Sequence, residues 1–271
     1  PPDVPPSSPT APTPPTAWTD ADLQRDPHAD PAKAGKVRAM FAAIARSYDL
    51  NNRVHSFWRD QAWRRAAVRA ARVRPGDEVL DVACGTGDLT QLLARTPARR
   101  VTGLDFTPAM LDLARVKQRA QPADAAGKIT YVEGDAMALP YPDASFDVLT
   151  IAFGLRNVTE PARAVREFAR VLRPGGRLVV LEFDTPRPPM RWITDFYCGW
   201  LMPRTATVIS GDRSGAYRYL PRSVGTFVGR RGVEALMREA GFAQVASRAM
   251  TLGICTVISG ERPANPATSP T

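Results

Sequence analysis

Residues 79–90, "VLDVACGTGDLT", join an apolar run of strand composition to a turn carrying Gly85 and Gly87, with Asp81 inside the run and Asp88 just beyond the turn. Glycines placed after a hydrophobic strand let backbone approach a ligand closely. A dinucleotide loop needs a third glycine where Thr90 stands, and a triphosphate loop needs a Gly-Lys-Ser/Thr ending that is absent. The carboxylates of Asp81 and Asp88 would repel a pyrophosphate, whereas they suit a ligand carrying positive charge.

Working outward, strand-like runs recur at 78–83, 100–106, 129–135, 146–153 and 177–183, with helical patterns between them at 108–120 and 160–172. The second helix is closed by "RPGG" at 173–176. Strands alternating with helices predict a parallel sheet covered on both faces. After a helix at 230–240, the runs "QVASRAM" and "ICTVISG" are separated by only "TLG", too short for a crossover, so they pair antiparallel. The expected fold class is therefore α/β: a Rossmann-like, doubly wound, mostly parallel sheet with a C-terminal antiparallel hairpin, preceded by an N-terminal helical lid. That is the sheet of class I S-adenosylmethionine-dependent methyltransferases.

Such sheets bind ligands beyond the carboxyl ends of their strands. S-adenosylmethionine carries both an ammonium and a sulfonium, matching the acidic turn. The second strand ends in "GLDF", placing Asp105 to accept hydrogen bonds from ribose hydroxyls, with Phe106 beside it. The third ends in "GDAMALP", placing Asp135 and Ala136 at the adenine edge. Together with Asp81, Gly85, Thr86, Gly87 and Ala152 these form the expected cofactor site. Each has a plainer reading too: Asp81 or Asp105 as a helix cap, and Cys84 as a small filler.

With 271 residues, 44% hydrophobic, the chain can bury one sizeable core. The segments expected are a proline-rich tail over 1–34, one methyltransferase domain over 35–262, and a second tail over 263–271. Within the domain, 35–75 is the lid, 76–183 the donor-binding core, 184–229 an acceptor-side insertion, and 230–262 the last helix and strands. Three scattered cysteines, Cys84, Cys198 and Cys255, give neither a disulfide framework nor a metal site, which fits a reducing cytoplasm. No run reaches the ~20 apolar residues a membrane helix needs. The net charge of +9 could attract nucleic acid, an anionic membrane or an acidic substrate, or reflect composition alone.

Three stretches carry a closer resemblance: "SYDLNNRVHSFWRDQAW" (47–63), "FGLRNVTEPARAVREFARVLRPGGRLVVLEF" (153–183) and "YRYLPRSV" (217–224). From Val37 to Gly260 the chain resembles the MenG/UbiE family of quinone-ring C-methyltransferases. The family's donor positions fall on Thr86, Asp105, Asp135 and Ala136. Three positions depart from its pattern: Ala152 where serine is common, Asn51 where methionine is common, and Asp60 where histidine is common. The resemblance implies methyl transfer from S-adenosylmethionine to a carbon of a prenylated hydroquinone, demethylmenaquinol or the benzoquinol of the ubiquinone pathway.

That chemistry requires an ionised ring and a neutral leaving group, with no metal or covalent nucleophile. The catalytic candidates are Arg156 and Asn157, expected where methyl and acceptor meet, with Tyr48 and Asp49 in the lid. Arg156 would lower the quinol pKa as a fixed cation, its alternative being a surface salt bridge; for Tyr48 the alternative is packing. His28 and His55 are not expected as bases. The aromatic, arginine-dotted stretch 189–220 suggests a tunnel for a prenyl tail with a rim resting on anionic lipid, or an ordinary helical cap. Partners expected are the prenylated quinol, peripheral membrane contact and a second copy in a homodimer, but no nucleic acid; the expected location is the cytoplasm, peripheral to the inner face of the membrane. Competing readings are a methyltransferase for another small molecule, an RNA methyltransferase, which would need an aromatic-interleaved basic stripe that is not evident, and a non-enzymatic subunit, which would have lost the donor residues.

Overall fold

The computed structural model describes residues 17–211 and 214–264. The helices and strands run α1 (Asp20–Gln24), α2 (Lys33–His55), α3 (Arg59–Ala71), β1 (Glu78–Val82), α4 (Asp88–Ala94), β2 (Arg100–Asp105), α5 (Pro108–Arg119) and α6 (Ala123–Ala126). They continue with β3 (Ile129–Glu133), β4 (Phe146–Ala152), α7 (Pro161–Val171), β5 (Leu172–Phe183), α8 (Met190–Phe196), α9 (Met202–Ser210), α10 (Ala216–Thr226), α11 (Gly229–Glu239), β6 (Ala243–Met250) and β7 (Cys255–Glu261). Among the described residues the strands form one sheet in the order β3-β2-β1-β4-β5-β7-β6. β1 to β5 pair in parallel, and the β6–β7 hairpin joins β5 antiparallel.

The strands are apolar because both faces of the sheet are covered. Val79, Val101 and Val148 pack one face against Trp63 and Ala67 of α3, Leu89 and Leu93 of α4, and Leu111 of α5. Their neighbours Leu80 and Leu149 face the other way, onto Phe168 of α7 and Met237 of α11. Proline at the first turn of α5 and α7 starts each helix where its missing N–H has no partner to lose. The "RPGG" stop does end α7, and β5 runs through it: pairing jumps from Phe146–Leu172 to Val148–Arg177, so residues 173–176 bulge out before regular pairing resumes at 177.

One boundary differs from expectation. Residues 17–34 are not tail. Trp18 is fully buried and stacks on Tyr219 of α10 with ring centroids 4.5 Å apart, and Lys33 is also fully buried. This lead-in joins Val37, Met40 and Ile44 of α2, spaced three and four apart on one helical face, in a third core with Tyr217, Tyr219 and Ala206. The expected tails over 1–16 and 265–271 lie outside the described residues. Strand order reverses between β1 and β4, so the site belongs above their carboxyl ends, where Ala34, Phe41 and Tyr48 of α2 reach it.

Because Trp18 anchors the lead-in to α10, Trp18→Ala should cost about 3 kcal/mol or more. A lowered urea midpoint at unchanged slope would show it; an unchanged midpoint would mean that residues 17–34 are not part of the folding unit.

Candidate functional site

The turn after β1 is built from residues in the left-handed region: Ala83 at φ 51°, Gly85 at 55° and Gly87 at 81°. For a non-glycine residue such as Ala83 this conformation is costly and tends to be kept at functional sites. Phe153, after β4, repeats it at φ 57°, and next to it Gly154 comes so close to the first turn that an added Cβ would lie 2.5 Å from the Cβ of Ala83. Two strand ends are thus pressed together, leaving an open cleft beside them. Gly85, Asp105, Phe106, Asp135, Ala136 and Ala152 line it, with Tyr48 from α2 and Asn157 from the turn after β4.

Asp105 holds the cleft floor. Its carboxylate accepts from Gly85 N and Thr107 N, both at 2.8 Å, tying the end of β2 to the glycine turn and to the start of α5. Burial pushes its pKa up in spite of these bonds. Each oxygen keeps lone pairs beyond its backbone partner, enough to accept from a pair of hydroxyls. Asp135 fixes its own turn through Met137 N at 2.9 Å. Around these carboxylates the wall is apolar, with Leu104, Met110 and Met137.

The remaining sequence candidates lie outside the cleft lining. Gly87 is a packing glycine: a Cβ there would meet the Tyr131 hydroxyl at 2.2 Å. Asp81 lies beneath the turn, accepting from Thr90 Oγ1 at 2.6 Å and Thr150 Oγ1 at 2.7 Å. Asp88 does not face a cationic ligand. Burial raises its carboxyl, but Arg64, Lys117 and Arg53 outweigh that and hold it at about 2. Thr86 donates to Asp49 at 2.6 Å, and Lys117 reaches Asp49 at 2.7 Å, so these residues strap α2 onto the glycine turn. Asp60, at the position where histidine was the common pattern, pairs with Arg53 at 2.6 Å within the same charge network.

Arg156 is neither on the cleft surface nor in a surface salt bridge. It is buried, paired with Glu182 of β5 at 2.7 Å, and donates to Phe153 O at 2.6 Å. Asn157 shares that carbonyl but also lines the cleft. Its Nδ2 donates to Phe153 O at 3.2 Å and its Oδ1 accepts from the Tyr219 hydroxyl at 3.0 Å. Burial pushes that Tyr219 hydroxyl up to about 12, so it remains a donor at neutral pH. Sequence reasoning missed Lys33, Lys117, Glu182 and Tyr219, though Tyr219 lies inside the stretch "YRYLPRSV". His28 is not in a loose lead-in: its Nε2 meets Ser223 O at 2.9 Å. Among the described residues no group of three or more His, Cys, Asp or Glu is arranged to hold a metal.

Asp81 makes the site's stability pH-dependent. Burial raises its pKa from 3.8 to about 6, so the fold favours the neutral form and loses stability as pH rises through that window. Asp81→Asn has no charge to bury, so its stability relative to wild type should rise by about 2 kcal/mol between pH 4 and pH 7. Urea unfolding at both values tests this, and a pH-independent difference between the two proteins contradicts it.

Comparison with known proteins bears on what this cleft belongs to. The family model described as the ubiE/COQ5 methyltransferase family matches residues 30–262. A demethylmenaquinone methyltransferase of Deinococcus radiodurans is 44% identical over 241 residues, covering 88% of this chain and 98% of the relative. A ubiquinone/menaquinone biosynthesis C-methyltransferase UbiE of Geobacter sulfurreducens is 43% identical over 235 residues, covering 85% and 90%. Among solved structures, a SAM-dependent methyltransferase of Thermotoga maritima overlays with a TM-score of 0.57 at 19% identity, covering 82% of this chain and 98% of that one, a likeness of fold. With the strand-end cleft, the family match over most of the described chain and relatives above 40% identity all in agreement, this chain belongs to the ubiE/COQ5 methyltransferase family.

Proposed function

We propose that the chain methylates a ring carbon of a prenylated hydroquinone, with demethylmenaquinol as the first substrate to test and the benzoquinol of the ubiquinone pathway as the second. It is an S-adenosylmethionine-dependent methyltransferase, and C-methylation in quinone biosynthesis is its reaction class. The observation that carries the donor site is Asp105: a buried carboxylate at the end of β2, anchored by two backbone N–H groups and open to the cleft. The cofactor fits this chemistry, since a ribose diol needs such an acceptor and adenine needs apolar walls such as Leu104, Met110 and Ala136. Gly85, Phe106, Asp135 and Ala152 complete the wall that would hold it.

When bound, the cofactor supplies an electrophilic methyl group on a sulfonium that departs neutral. What the protein must do is fix the acceptor ring and its hydroxyl. Asn157 is suited to that role, because Phe153 O and Tyr219 use one N–H and one lone pair of its amide, leaving one of each for a quinol hydroxyl. Tyr48, whose hydroxyl burial keeps protonated, lines the cleft from the lid and can donate to the ring oxygen. Asp49 and Arg156 act as positioning residues, Asp49 by strapping the lid to Thr86 and Arg156 by pairing with Glu182 beneath the turn. A cation already neutralised at 2.7 Å exerts little net field on the acceptor, which counts against direct quinol ionisation by Arg156.

A prenyl tail ties the substrate to membranes, and the segment after β5 suits a lipid surface. From α8 through α9, Trp192, Phe196, Trp200 and Val208 recur every four or eight residues and stand 51–85% exposed, beside Arg187, Arg191 and Arg204. We assign this face to peripheral contact with the inner side of the membrane, in the cytoplasm. No helix among the described residues is long and apolar enough to cross a bilayer. A homodimer remains part of the proposal, to be read from the mass in solution.

Calorimetry with S-adenosylhomocysteine should show binding, weakened by roughly 1 to 3 kcal/mol in Asp105→Ala; equal affinity would remove Asp105 from the site. Labelled donor with each demethylated quinol in turn identifies the nucleus, and no methylation of either overturns the substrate reading. Vesicles containing phosphatidylglycerol should bind the protein more tightly than phosphatidylcholine vesicles. Changing Trp192 and Trp200 together to alanine should weaken that binding by at least about tenfold, the loss of roughly 1.4 kcal/mol; unchanged binding would separate the aromatic face from the membrane.

A further inference from the structure

The turn between β4 and α7 is a single 3-10 turn, Leu155–Asn157, closed by Val158 N bonding to Leu155 O. So short a turn cannot satisfy its own later carbonyls. The Arg156 and Val158 carbonyls, on either side of Asn157, instead accept from Lys33 Nζ at 2.9 and 2.7 Å. The third partner of Nζ is His28 Nδ1 at 3.0 Å. His28 Nε2 lies 2.9 Å from Ser223 O, and since a carbonyl only accepts, Nε2 carries the ring proton and Nδ1 is the acceptor for Lys33. An ammonium has three N–H groups, and here each has one partner.

Lys33 is fully buried, and no carboxylate among the described residues pairs with it within ion-pair distance. Beyond contact distance, Asp26 favours its charge and Arg156, itself paired with Glu182, opposes it. Desolvating an unpaired ammonium is expensive, and burial pushes its pKa down to about 8, low for a lysine yet still mostly charged at neutral pH. What offsets the cost is three charge-assisted hydrogen bonds, two of them to the segment that carries Asn157. Lys33 does not line the cleft, but Ala34 and Val158, on either side of its contacts, do. All its hydrogens are engaged away from the reacting centre, so it is not a base.

Building on the reading of the cleft as a quinol methyltransferase site, we propose that Lys33 is a positioning residue for methyl transfer, holding the Arg156–Val158 turn so that Asn157 presents its amide to the acceptor. The lead-in is thereby part of the active site, acting through the back of its wall. Tyr219 holds the Asn157 side chain from α10, and Lys33 holds its backbone.

The test compares the full chain with Lys33→Met, which keeps length and removes the donors, and Lys33→Gln, which keeps two N–H donors without the charge. Amide exchange, read by mass spectrometry without cofactor, should quicken by about tenfold or more across residues 153–159 in Lys33→Met while β1 and β2 keep their protection. S-adenosylhomocysteine affinity should stay within about twofold, while kcat on the quinol falls by roughly 10²-fold, the scale of a misplaced reacting geometry. Lys33→Gln should recover exchange protection and part of kcat, and stands in should Lys33→Met not fold. Unchanged exchange over 153–159 overturns the proposal, as does a loss of donor affinity that parallels the loss of kcat. If wild type turns over neither quinol, the substrate reading fails while the exchange comparison still decides the role of Lys33.

Discussion

Asp105 is the point through which the floor of the cleft is assembled. A carboxylate at the end of a central strand is buried at some cost, and two backbone N–H groups from different segments meet it. Those bonds fix the glycine turn against β2 and start α5 in the same place. Once the turn is fixed, Ala83 is held in its unfavourable conformation and Gly154 can approach it from β4. The strain sits where two strand ends crowd together, and the packed sheet, with Val79 and Leu80 buried on opposite faces, is what sustains it.

The lid is held by charge, and on two sides. At the glycine turn, Asp49 of α2 bonds to Thr86 and Lys117, while Arg53 bridges Asp60 and Asp88. At the far end of α2, Lys33 grips the β4–α7 turn. The same helix therefore touches the turn after β1 and the turn after β4, on two sides of one cleft. Most of these contacts are shielded from solvent, where a lost partner costs far more than in a surface ion pair.

The sheet was legible because its signals are local. Apolar runs bounded by glycine and aspartate mark each strand, and a three-residue gap dictates the final hairpin. The placing of Asp105, Asp135 and Gly85 in the cleft lining was legible for the same reason: strand ends in a doubly wound sheet meet at the switch point. The lead-in was not. Residues 17–34 follow a proline-rich run and carry few core formers, and the burial of Trp18 depends on Tyr219, far along the chain. Lys33 finds its carbonyls 123 and 125 residues away, a pairing that no periodicity encodes. Asp88 misled for a related reason, since its neutralising cations come from three separate helices.

Arg156 shows how the neighbours of a residue, brought in from another strand, change what its charge can do. It does follow β4 beside the cleft, in a segment specific to the family, and a cation there would favour an ionised ring. But β4 pairs with β5, and that adjacency brings Glu182 against the guanidinium. A pair at such separation has a small net field beyond its own dimensions, while each member strongly constrains the other. The arginine therefore acts on the backbone, donating to Phe153 O, the same carbonyl that receives Asn157 Nδ2. Charge in this turn sets geometry: Arg156 and Lys33 each hold main-chain carbonyls, and the group that lines the cleft is the uncharged amide of Asn157. An uncharged contact can bind the quinol hydroxyl both before and after its proton departs, as donor to the oxygen or acceptor from the hydrogen.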